Sequence, residues 1–186
     1  MKETGIIFST EMVRAIQEHK KTMTRRTWGL EKVNKNPDDW QLVAFFLDGK
    51  ARFYNSKTDG DVTLKCPYGG VGDRLRIKET FAHCGNELHL SSWVALVAYK
   101  ADGTIRTIPF GDNEPPKEKW WNTGKPFDYF QPSIFMPRWA SRITREITAI
   151  RAERLQEITE EDAKAEGVEA VYTEPEGITW YRPAFQ

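Results

Sequence analysis

Short apolar runs separated by polar turns recur along this chain, and only two stretches carry helical spacing. Ile6-Ile7-Phe8 reads as a first strand, and Ser9-Thr10 follow as capping residues. Met12, Val13 and Ile16 then share one face, with Arg14, Gln17 and Glu18 opposite, which predicts an amphipathic helix stopping near His19-Lys20. Residues 31–40 are rich in Lys, Asn, Pro and Asp and read as a loop. Leu42–Phe46 and Ala51–Tyr54 flank Asp48-Gly49, the signature of a hairpin turn. Asp61–Leu64 predicts a further strand, followed by a glycine-rich turn over 66–73. Arg74–Phe81 alternates polar and apolar, as a half-buried strand does. Trp93–Tyr99 and Thr104–Ile108 predict two strands around Asp102-Gly103, and Ser141–Arg151 one more. Thr159-Glu160-Glu161-Asp162 has capping-box form and opens a helix that Gly167 ends.

These elements predict a mostly β chain with short helices, an α+β fold built on a small closed or partly closed barrel. Residues 1–186 suit a single domain. Six prolines between 109 and 138, and little periodicity there, predict a long irregular excursion from the barrel. Trp120, Trp121, Phe127, Tyr129 and Phe130 within it call for burial.

Composition narrows the function classes. With 27 Lys+Arg against 27 Asp+Glu, the chain has no net charge, which disfavours a polymer-coating protein or a polybasic tail. Mean hydropathy is −0.62, and no run approaches the ~18 apolar residues of a membrane span. A polar start and two cysteines, Cys66 and Cys84, without C-x-x-C spacing point to a cytoplasmic protein with reduced thiols. The charge is nonetheless unevenly spread: residues 1–35 hold eight bases and four acids, and residues 153–176 hold nine acids and two bases. Seven tryptophans are a large share for a chain that is 39% hydrophobic. Core filling is the ordinary fate of such rings, and base stacking on a groove is the functional one.

The densest chemistry lies in His19-Lys20-Lys21-Thr22-Met23-Thr24-Arg25-Arg26, where helix gives way to extended chain. Arg forks and backbone donors at such a junction favour phosphate or carboxylate. A desolvated lysine beside a threonine hydroxyl can also generate a nucleophile. A solvated basic patch has the same composition. Glu166 stands near a helix C-terminus, where an acid is electrostatically disfavoured, and Glu79 ends the alternation of its strand. His83, Cys84, His89 and Cys66 match no zinc spacing, and Gly69-Gly70-Val71-Gly72 lacks the Lys-Ser/Thr of a phosphate loop, so neither metal nor cofactor is expected.

Lys21-Thr22-Met23-Thr24-Arg25-Arg26 after a short helix resembles the signature of the ASCH domain, a branch of the PUA-like superfamily. Pro67–Phe81, with its glycine-aspartate turn and closing Glu79-Thr80-Phe81, is similar to that family's second motif. Met136–Ile143 and Ile158–Val168 further resemble ASCH-like proteins encoded by phages and prophages. The resemblance implies a PUA-like barrel, with residues 82–138 inserted relative to the small family members. It implies an RNA-binding or modified-nucleobase-binding module with a cleft beside the first helix, where Lys20, Lys21, Thr22, Arg25, Arg26 and Glu79 would meet the ligand. Some small ASCH proteins are amidohydrolases that deacylate N4-acetylcytidine. Their site residues correspond here to Lys21 as base, Thr24 as nucleophile and Glu166 at the leaving amine. A protein-binding accessory factor reusing the cleft is the third implied class. Larger relatives continue to an aromatic-rich closing strand, so an end at Trp180–Gln186 carries the expectation of a truncated C-terminus. An open barrel edge of that kind would be left exposed or be filled by a second copy in a homodimer.

Overall fold

The computed structural model of the chain describes residues 1–89, 92–115, 130–168, 170–173 and 179–181. The predicted burial of Trp120, Trp121, Phe127 and Tyr129 lies outside the described residues.

Strand β1 (Glu3–Ile7) leads into helix α1 (Thr10–Gln17), where the Ser9 hydroxyl accepts from the Met12 amide. Residues 31–40 hold more order than a loop: a single helical turn, α2 (Glu31–Asn34), buries Val33, and a 3₁₀ turn follows at Pro37–Asp39. Strands β2 (Trp40–Phe45), β3 (Lys50–Asn55) and β4 (Gly60–Lys65) form an antiparallel meander. Its first turn contains Gly49 at φ +83°, and a Cβ there would lie 2.3 Å from the Gly69 carbonyl oxygen. The hairpin tip and the glycine-aspartate turn thus meet backbone to backbone. Asp73 closes that turn by accepting from the Gly70 amide at 3.0 Å and the Lys2 amide at 2.6 Å.

Strand β5 (Arg74–Lys78) lies parallel to β1 and antiparallel to the short β9 (Thr144–Glu146). Only three residues of the predicted 141–151 strand form β9, and the buried Ile143 and Ile147 on either side add backbone hydrogen bonds to Ile77, Asp73 and Gly72. Strands β6 (Phe81–His89), β7 (Ser92–Tyr99) and β8 (Ile105–Gly111) form a second antiparallel sheet. The strands expected at 93–99 and 104–108 are present as β7 and β8, whereas β6 was not expected. Strand β6 escaped the pattern because it carries no β-branched residue and is interrupted by a bulge at His83/Gly85, with Gly85 at φ +139°. Helix α3 (Glu160–Ala165) has the predicted Thr159–Asp162 capping box and stops at Gly167, φ +81°. A further ladder joins β10 (Ala170–Thr173) to β11 (Thr179–Tyr181), which the sequence pattern had not signalled.

The chain is thus mostly β with short helices. Its described ladders are β1-β5-β9, β2-β3-β4, β6-β7-β8 and β10-β11, and among the described residues none closes into a barrel. The central core joins Ile6, Phe8, Val13, Ile16, Ile77 and Ile143, so α1 is clamped over β1 and β5 by its apolar stripe. Among the described residues no helix is long and apolar enough to cross a membrane.

Candidate functional site

The end of α1 aims the basic segment. His19 takes a left-handed conformation, φ +60°, and the amides of Lys20 and Lys21 both donate to the Ala15 carbonyl. The chain then extends across the last turn of α3. Lys21 forms an antiparallel bridge with Glu166, and the amides of Thr22 and Met23 donate to the Ala165 carbonyl at 2.8 and 2.9 Å. Carbonyls left over at a helix end are satisfied in this way by the first motif. Gly167 permits the approach, since a Cβ there would stand 3.1 Å from Ala15 Cβ and 3.2 Å from Lys21 Cβ.

Lys21 is 6% exposed, and its Nζ donates to the Glu166 main-chain oxygen at 2.9 Å. Burial lowers its pKa to about 8; the Glu166 charge opposes this, and Arg26 and Arg25 add to it. The expected approach of Lys21 to Glu166 is present, but through the main chain. The Glu166 carboxylate is held instead by Arg25, with Nη1 2.7 Å from Oε1. Arg25 also donates from Nε to Glu153 Oε1 at 2.8 Å and pairs with Asp162 Oδ2 at 3.0 Å. Arg151 bridges Glu153 and Asp162 from the other side. Burial works against the charge on Arg25, but its bonds to Glu166 and Glu153 outweigh that and raise its pKa. Arg151 holds the Asp162 carboxyl below the usual range.

Arg26 turns the other way. Its guanidinium donates to the carbonyls of Arg25 (3.3 Å) and Ile7 (3.1 Å) and lies 5.3 Å from the centre of the Phe8 ring. Among the described residues no carboxylate pairs with it. It forms one wall of an open groove of about 430 Å³, lined also by Gly5, Ile6, Ile7, Trp28 and Tyr68. Trp28 is 63% exposed and meets Tyr68 edge to face, with ring centres 5.8 Å apart. The two rings are brought together by Gly29 packing on Pro67: a Cβ at Gly29, φ +91°, would lie 3.0 Å from Pro67 Cδ.

The other expected site residues are dispersed. Lys20 is exposed and pairs with Glu18 at 2.9 Å, Thr22 is exposed, and Thr24 is half-buried. Glu79 belongs to a separate cluster. It is 1% exposed, and both its oxygens accept from Arg142, at 2.8 and 2.9 Å. Arg142 continues to Asp102 and Thr104, both at 2.7 Å, and stacks 4.0 Å from the centre of the Tyr99 ring. Among the described residues no group of His, Cys, Asp and Glu is placed to hold a metal ion. Trp28 and Tyr68 were missed in the sequence. The available signal was a tryptophan two residues beyond a basic run, followed by glycine, outside any periodic element.

Comparison of the chain with protein-family models, curated proteins and solved structures found no match.

Proposed function

We propose that this chain is an ASCH-type module with a PUA-like barrel, and that it binds RNA or a modified nucleobase in the groove beside the Lys21–Arg26 segment. The observation that carries the reading is the groove itself. Its walls pair Arg26, a cation without a carboxylate partner among the described residues, with an exposed indole, Trp28. The motif resemblance supports the same ligand class. RNA titration at about 50 and about 200 mM salt tests it: binding that weakens with salt is expected, because phosphate contacts release counterions. Affinity indifferent to salt, or no binding to RNA or modified nucleosides, overturns it.

The low pKa of Lys21 favours a second reading, deacylation of an N4-acylated cytosine derivative. Neutral Lys21 would accept the Thr24 hydroxyl proton as the Thr24 oxygen adds to the acyl carbon. Lys21 would pass that proton to the departing amine, which Glu166 would position, and water would then hydrolyse the acyl-threonine. The Arg25 pairing of Glu166 weighs against this sequence, since that carboxylate must first be released. Incubation with N4-acetylcytidine decides between the two. Cytidine release that disappears in Thr24→Ala and Lys21→Ala would establish the hydrolase, and binding without release is expected.

A further inference from the structure

Resting on the nucleic-acid reading, we infer that the ligand is a short single-stranded stretch of RNA, with one unstacked base against Trp28 and its flanking phosphates over β1 and β5. A free nucleoside would leave half of this surface unused, and a duplex offers no unstacked base to the groove.

The strand register carries the phosphate half. Parallel pairing sets Gly5 opposite Arg76 and Ile7 opposite Lys78. Alternation on β5 puts Arg74, Arg76 and Lys78 on one face and sends Leu75 and Ile77 to the core. Gly5 lines the groove and presents no side chain, and the cations cover that gap. Arg76 Nη2 lies 3.2 Å, and Lys78 Cδ 3.3 Å, from where a Cβ at position 5 would stand. Arg26 closes the same groove from the opposite wall, with its Nη2 on the Ile7 carbonyl. Arg26 thus lines the groove itself, and Arg76 and Lys78 stand beside its Gly5 wall on the adjoining face of β5.

Their pairing is incomplete. Among the described residues Arg76 Nη1 is buried without a hydrogen-bond partner, a costly state for a charged donor. Arg76 Nε stands 3.5 Å from Glu3 Oε1, an oxygen that Arg138 Nε approaches to 3.0 Å. Lys78 donates to the Ile134 carbonyl, and its pKa is lowered by burial and by Arg76. Glu3 and Glu146 are the acids whose strand positions share this face, opposite Arg74 in the register. A phosphate oxygen between Arg76 Nη2 and Lys78 would relieve the like-charge repulsion.

The aromatic half is the indole. Edge-to-face contact with Tyr68, at an interplanar angle of 78°, leaves at least one face of Trp28 clear of that ring. A base has the shape and the π-face for that surface, and stacking of this kind is indifferent to sequence. The balanced total charge limits the footprint to a few phosphates.

Anisotropy titration of the full chain with a labelled oligoribonucleotide of about ten nucleotides tests the inference, with the matching duplex and free nucleosides as competitors. Trp28→Ala is expected to weaken single-strand binding about tenfold, and Trp28→Phe to restore most of it. Arg76→Gln and Lys78→Gln should each lower the slope of log affinity against log salt by about 0.7. Single-strand binding unchanged in all of these variants would overturn the inference and leave the nucleic-acid reading standing. So would a duplex or a free nucleoside that competes as well as the single strand. Wild-type chain that binds neither RNA nor nucleosides would remove the nucleic-acid reading itself.

Discussion

Arg25 and Arg26 are neighbours in the chain and meet opposite surroundings. Arg25 is enclosed by Glu153, Asp162 and Glu166, whereas Arg26, among the described residues, meets carbonyls and the Phe8 ring beside an open groove. The difference arises from direction along an extended chain, where successive side chains point to opposite sides. One side faces the acidic end of the molecule, α3 and the segment before it. The other faces β1 and the Trp28–Tyr68 pair. A basic run thus divides into a cation that holds the fold together and one left available to a ligand. The Glu79–Arg142–Asp102 cluster extends the first category and the Arg76–Lys78 pair the second.

The sharpest break of the comparison is at the most enclosed pair. Arg142 and Glu79 are 6% and 1% exposed, so removing one partner strands a buried charge. Arg142→Ala should cost about 3–5 kcal/mol in urea or guanidinium unfolding. Asp102 would lose a partner as well, and its carboxyl, held well below the usual range by the Arg142 bond despite the opposing pull of burial, would return toward it. The double change Glu79→Leu with Arg142→Met should recover much of the loss, since an apolar pair of similar volume needs no solvation. If Arg142→Ala unfolds at the wild-type midpoint, the cluster is not what holds β5, β7 and the Asp102 turn together.

Arg25 is the intermediate case. Its side chain is 20% exposed and three carboxylates share it, so Arg25→Ala should cost about 1–2 kcal/mol after allowance for solvent screening. The direction of its pH dependence follows from Asp162, whose pKa is lowered chiefly by the Arg151 hydrogen bond and in smaller part by the Arg25 charge. A lowered carboxyl stabilises the fold above its ordinary pKa and ceases to do so as pH falls through the lowered value. The deficit of Arg25→Ala should therefore shrink as pH drops through the carboxylate range. A deficit that grows on acidification would mean that the three acids do not depend on Arg25.

What was readable in advance follows the range over which each feature is decided. The Ser9 cap, the Asp48-Gly49 turn, the β5 alternation and the Thr159–Asp162 box are set by residues within a few positions of one another, and all four are present. Strand β6 is set by its neighbour: Phe81–His89 has little strand character alone and becomes a strand by pairing with β7. The same distinction holds at the site. The basic run was visible, and the nearness of Lys21 to Glu166 came from the family resemblance. Nothing local separated Arg25 from Arg26, because their partners stand more than a hundred residues away or on another element. Glu79 ended an alternation and so looked like a cleft residue; the residue that absorbs it, Arg142, is 63 positions further on.

Lys21 tests whether enclosure or ligand access governs the shared segment. In the unfolded chain it keeps its proton up to the ordinary lysine value of 10.5, and in the folded chain only to about 8. Between those values the unfolded state binds more protons, so stability due to this group rises with pH across that window. Below about pH 8 both states are charged and the folded chain carries the full desolvation cost. The urea midpoint of the wild type, taken relative to Lys21→Met, should climb from about pH 8 to about pH 10. A flat difference over that range would place the Lys21 ammonium in a more hydrated setting than its burial indicates.

The smallest expected effect sits at the most exposed residue of the comparison. Trp28 is 63% exposed, and the only ring contact it makes among the described residues is the edge-to-face pair with Tyr68. Trp28→Ala removes that contact and little buried area, so it should shift stability by about 0.5 kcal/mol. Tyr68 also packs against the central core through its apolar body, which makes it the poorer probe of the groove. Thermal and urea unfolding of Trp28→Ala close to wild type, beside a large loss in Arg142→Ala, would separate a surface held open for a ligand from one closed for stability. A loss of several kcal/mol would mean that the indole is packed into the fold, and the division between the two arginines' surroundings would no longer correspond to a division of roles.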